Sequence, residues 1–101
     1  MKKYSILWRP EAIQDVSEHL TFISNVSKDA AVHLYETLVK EANSLMNFPE
    51  RNPIFEMPKG FPLKVRKKVV DKRYLLIYIV DNDIVEIYRV LDARKQFEYL
   101  I

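Results

Sequence analysis

Hydrophobic and polar positions change their period partway along the chain, at a proline-rich stretch. Before it, Tyr4, Ile6 and Trp8 alternate with Ser5 and Leu7, which predicts a short strand carrying large side chains on one face. Pro10 then stands where a helix can begin. Ala12, Ile13, Val16, Leu20 and Ile23 recur at helical spacing to about Ser24. Ser27 is placed to cap a second helix, with Asp29 in its first turn. Ala31, Leu34, Leu38, Ala42 and Leu45 form the apolar stripe of that helix, to about Asn47.

From Asn47 to Pro62 the chain holds four prolines and its one glycine, Gly60. That predicts one long surface loop, because proline removes donors and glycine admits unusual angles. Beyond it, Leu63 and Val65 alternate with Lys64, Arg66 and Lys68. Tyr74 to Val80 is apolar on both faces and predicts a central, covered strand. Asp81, Asn82 and Asp83 make a tight turn. Ile84 to Leu91 is the next strand, and Asp92 can cap a closing helix that carries Phe97, Leu100 and Ile101. The expected fold is α+β, in the order β-α-α-β-β-β-α. It has an antiparallel sheet, an N-terminal helical hairpin packed on one face and a short C-terminal helix.

Composition sets the outer limits. The chain has 101 residues, which suits one domain over residues 1–101. No cysteine is present, so neither a disulfide nor a thiolate metal site can form. No apolar run reaches the roughly 20 residues needed to span a bilayer. The N-terminal basic residues precede no signal-peptide core. A soluble, cytoplasmic protein is expected, with no membrane partner.

Charge changes the picture more. The formal net charge is only +2. Residues 1–58 hold six basic and eight acidic residues, and residues 75–101 hold three basic and five acidic, so each segment carries −2. Residues 59–74 hold seven basic residues and one acid, giving +6. On a strand, Lys64, Arg66 and Lys68 would share one face while Leu63 and Val65 turn inward. Such a stripe suits phosphate or an acidic protein partner. The alternative is a solvated edge strand kept from aggregating by lysine.

Candidate chemistry is sparse. A single glycine excludes a phosphate-binding glycine loop. His19 and His33 read as helix residues rather than catalysts, and no ligand spacing marks a metal site or a cofactor. Trp8, Tyr74, Tyr78, Tyr88 and Phe97 could stack bases, but core positions explain them better. Arg94 could position a phosphate and Tyr99 could move a proton.

Three stretches carry a family resemblance: Lys64-Val65-Arg66, Tyr74 to Val80, and Val85 to Arg94. With Arg9-Pro10-Glu11-Ala12 followed by Asp15, and the helix end from Leu45 to Pro49, the chain resembles the RelE/ParE toxin superfamily of type II toxin–antitoxin systems. The resemblance covers nearly the whole chain. It implies a small α+β toxin held inactive by a cognate antitoxin, and a monomer that dimerises only through that antitoxin. RelE-like members cleave mRNA on the ribosome. Mapped here, that set is Lys64, Arg66, Arg94 and Tyr99. Leu75 stands where such nucleases usually carry arginine, and Pro62 replaces a frequent basic residue. Tyr88 to Arg94 is more similar to ParE-like toxins, which poison DNA gyrase. The resemblance therefore implies a gyrase inhibitor whose target-binding residues are Lys64, Arg66, Arg89, Arg94 and Lys95. The alternatives are a ribosome-dependent mRNA endonuclease and a non-toxic module that only binds its antitoxin.

Overall fold

The structure is a computed structural model describing residues 3–56 and 59–95. In chain order it holds β1 (Ser5–Trp8), α1 (Pro10–Ser24), α2 (Lys28–Asn43), β2 (Arg66–Val70), β3 (Tyr74–Asp81) and β4 (Ile84–Asp92). The strands form one sheet in the order β1-β4-β3-β2. β2, β3 and β4 run antiparallel, as their closeness in sequence requires. β1 pairs parallel to β4, so the sheet is mixed rather than antiparallel. Side-chain alternation sets which face a strand buries; it carries nothing about a distant neighbour's direction.

Both helices start where the sequence places them. Arg9 is extended ahead of Pro10, and the Ser27 Oγ accepts the Ala30 N–H at 3.1 Å. The α2 stripe of Ala31, Leu34, Leu38 and Ala42 is buried, and Leu45 continues it through a 3₁₀ turn, Ser44–Met46. The α-helix thus ends at Asn43, earlier than the stripe suggests. On α1, Ile13 departs from its expected core position and is 54% exposed, while Ala12, Val16, Leu20 and Ile23 meet the core. The residue that joins Ala12 in full burial on α1 is a carboxylate, Asp15.

The hairpin covers one face of the sheet. Leu34, Leu38, Leu45, Val70, Tyr74, Leu76, Tyr78, Val85, Ile87 and Val90 form that core. The expected surface loop covers the other face. Its Phe55 packs with Val65, Leu75, Ile77, Ile79 and Leu91. Pro53 to Phe55 also pair along the outer edge of β2, with the Phe55 N–H to the Val65 carbonyl at 2.9 Å and the Lys67 N–H to the Pro53 carbonyl at 3.0 Å. Pro49 is buried, and its carbonyl accepts the Tyr78 hydroxyl. The proline-rich stretch is therefore half of a core. A proline lacks a donor, but its ring and its carbonyl remain available to the interior.

Among the described residues the closing helix is a 3₁₀ turn, Ala93–Lys95; Phe97, Leu100 and Ile101 lie outside them. No helix in the described residues is long and apolar enough to cross a membrane.

Candidate functional site

The expected basic stripe on β2 is not an open surface. Arg66 and Lys68 stand opposite Tyr78 and Leu76, on the hairpin side of the sheet. There Arg66 donates from Nη1 to the Glu50 and Asn52 carbonyls at 3.1 and 2.8 Å. Lys68 Nζ sits 3.1 Å from Glu41 Oε2 on α2. Their apolar stems cover the rim of the core and their charged heads find acceptors there. Lys64 lies exposed just ahead of β2, and Leu63 is exposed rather than inward.

The arginines of β4 are also engaged. Between Ile77 and Tyr78 the β3–β4 register slips, leaving Tyr88 as the extra residue of a bulge. Bulges re-aim neighbouring side chains, and Arg89 reaches α1. Its Nε donates to Asp15 Oδ2 at 2.6 Å and its Nη2 to Oδ1 at 2.8 Å. The Val90 N–H gives Asp15 a third bond, at 2.9 Å. At the end of the strand, Arg94 grips Asp92 in the same two-pronged way, at 3.2 and 2.9 Å, and its backbone N–H caps the same carboxylate. The Arg94 side chain holds the Asp92 carboxyl down at about 2, and Asp92 in turn raises the Arg94 guanidinium.

Asp92 and Arg94 belong to a polar cleft of about 220 Å³. Three elements build it. α1 supplies Glu18, His19 and Phe22; the start of β3 supplies Tyr74, preceded by Arg73; β4 and the turn after it supply Asp92 and Arg94. His19 Nε2 lies 2.8 Å from the Val90 carbonyl, which makes that nitrogen the donor and leaves Nδ1 an acceptor. The His19 ring packs at 4.9 Å, tilted, on Tyr74, whose hydroxyl is pushed up by burial. The Arg73 guanidinium lies 5.5 Å from the same Tyr74 ring, and its Nε is 3.9 Å from Asp92. That Nε is buried and has no hydrogen-bond partner among the described residues. In the turn delivering Arg73, Asp71 and Lys72 take φ of 53° and 58°, the left-handed region that aspartate tolerates and lysine does not.

A second concavity, of about 290 Å³, is apolar. Trp8, Ile13, Val16, Tyr35, Leu38 and Val39 line it, between the two helices and beside β1, an edge strand. No group of three carboxylate or imidazole side chains converges as a metal site among the described residues.

Of the residues the sequence offered, the fold brings Arg94 into a cleft, leaves Lys64 apart and turns Arg66 and Arg89 inward. Lys95 lies in the 3₁₀ turn after β4, and Tyr99 lies outside the described residues. Sequence reasoning took His19 for a plain helix residue and Tyr74 for core, counted Arg73 only within the basic segment, and passed over Phe22. The spacing of Asp15, His19 and Phe22, four and then three apart, puts them along one side of α1 and was the available signal.

The sequence matches a family model described as the ParE toxin of the type II toxin–antitoxin system parDE, over residues 6–97. No curated protein sequence matches the chain. Among solved structures, a chain from the chromosomal ParDE toxin–antitoxin system of P. aeruginosa has a similar fold, with a TM-score of 0.70 at 15% identity, covering 89% of this chain and 96% of that one. Because the family model spans nearly all of β1 through the turn after β4, this chain belongs to the ParE toxin family of type II toxin–antitoxin systems.

Proposed function

We propose that this toxin inhibits growth by binding DNA gyrase, without catalysis of its own, and that a cognate antitoxin neutralises it. The observation that carries this reading is Leu75. It stands where nuclease-type relatives usually carry a strand arginine, and it is buried in the loop-side core. A leucine there gives no donor to a phosphorane-like transition state. Arg66, the second strand cation of a nuclease set, is engaged by two backbone carbonyls. The exposed cations Lys64 and Arg94, with Lys95 beside the latter in sequence, are the target contacts at two separate places, and Arg66 and Arg89 hold the sheet that carries them.

The apolar groove between the helices suits the antitoxin. Ile13 and Tyr35 are exposed there, and a partner's apolar side chains would cover them. The test is a supercoiling assay with purified toxin and gyrase, with and without the antitoxin encoded beside it. Inhibition that the antitoxin reverses is expected. Unaffected gyrase at toxin concentrations that arrest growth, together with messages cut within codons, would assign the endonuclease reading instead.

A further inference from the structure

We propose that the cleft between α1 and the ends of β3 and β4 binds a nucleoside monophosphate, with its phosphate on Arg73 and Arg94 and its base on Phe22. This goes beyond gyrase inhibition and does not depend on it.

Three features point to that ligand. The first is Arg73. A buried donor without an acceptor is costly, and the Arg73 Nε is one. That Nε itself is out of a ligand's reach, but the rest of the Arg73 side chain is 36% exposed and lines the cleft, where its guanidinium can donate to a phosphate oxygen. Arg94 adds donors from the same side: its Nε and one Nη2 proton go to Asp92, and its Nη1, on an exposed side chain, makes no hydrogen bond among the described residues. Asp92 is a positioning residue here, gripping Arg94 and lying 3.9 Å from Arg73, so that both guanidinium groups stand at one place.

The second feature is Phe22. It lines a polar cleft yet is 67% exposed. An aromatic ring in that position gains little from folding. It offers a π-face to a planar ligand, and every base can stack on one. The third is size and charge. At about 220 Å³ the cleft is smaller than a typical pocket for a whole drug-sized ligand. It takes a phosphate and part of a ribose, and the base stays at the mouth, where Phe22 is. His19 Nδ1 and the Glu18 carboxylate are acceptors suited to ribose hydroxyls. Glu18 and Asp92 also balance Arg73 and Arg94, so recognition rests on directed hydrogen bonds rather than on net field. That balance disfavours a triphosphate and predicts a shallow salt dependence.

The experiment is a titration of the ¹⁵N-labelled full chain with AMP, GMP, CMP and UMP, each followed by adenosine and by inorganic phosphate, read as amide shifts. At least one monophosphate is expected to move the amides of Phe22, Arg73 and Arg94 together, and to bind at least tenfold tighter than adenosine or phosphate. Phe22→Ser, a change on an exposed position, should weaken the nucleotide about tenfold and leave phosphate unaffected. Arg73→Gln should weaken both. A 5′-phosphorylated trinucleotide in the same titration distinguishes a strand end from a free nucleotide, the tighter of the two being the source. Silence of all four monophosphates up to about 10 mM, in a protein whose spectrum is folded, overturns the proposal. So does phosphate binding as tightly as every nucleotide, with Phe22→Ser without effect.

Discussion

β4 carries two arginine–aspartate pairs only five positions apart, and they differ in almost everything except their chemistry. In mid-strand, Arg89 bridges to Asp15 on α1, 74 residues away, and Asp15 also takes the Val90 N–H. At the strand end, Arg94 turns back on Asp92, two residues away, with its own side chain largely in water. Both carboxylates are nearly dry, but the first pair joins two elements and its arginine is 35% exposed, against 63% in the second. The second holds a local turn in shape and keeps one guanidinium at a cleft. An identical ion pair is thus a strut in one place and a mount in the other, and what decides between them is how far the chain travels between the partners and how much water each can reach.

The contrast can be broken most sharply at Asp15. Asp15→Ala removes three bonds, two from the Arg89 guanidinium and one from the Val90 N–H. A loss of about 3 kcal/mol in urea denaturation is expected, and Asp15→Asn should recover part of it. A smaller effect appears at the strained turn. Lys72→Gly puts a residue at ease at φ 58° and should raise stability by about 1 kcal/mol, read as a higher denaturation midpoint at unchanged slope. Lys68→Ala, which removes the partly exposed pair with Glu41, should cost no more than about 1 kcal/mol.

Acid sharpens the comparison at the other end. The Asp92 carboxyl titrates at about 2 in the folded protein, below the ordinary value near 4. Its ionised form therefore adds stability that is complete above about pH 4 and is lost as pH falls toward 2. Asp92→Asn should flatten that part of the acid-unfolding curve. Arg94→Ala should let the Asp92 carboxyl return toward its ordinary value and so remove the same acid-dependent stability, while lowering gyrase inhibition.

Much of this fold was legible in the chain. The α2 stripe, the Ser27 cap, the buried run from Tyr74 and the turn at Asn82 all follow from local periodicity and local chemistry. What failed was nonlocal. The direction of β1 depends on a strand at the far end of the sequence. Ile13 sits in the apolar pattern but faces the groove, since a helix only half covered has apolar positions at the edge of its buried face. The proline-rich stretch looked like surface because its prolines break elements, and nothing local says that Phe55 and Pro49 then close a core. The site was read least well. A run of basic residues shows charge but not its partners, and so does a family resemblance, so neither foretold the carbonyls on Arg66 or Asp15 on Arg89. His19, Phe22 and Arg73 meet only once α1 lies across the ends of β3 and β4.

The parallel pairing of β1 with β4 has a consequence for how the molecule comes into being. Ser5 takes Ile84 as its partner and Trp8 takes Ile87. During synthesis the first strand waits until its partner, from Ile84 to Ile87, has been made, and contacts so distant in sequence form slowly. The helical hairpin can take shape early, but its sheet cannot. A toxin with that connectivity stays unfinished until β4 has been translated.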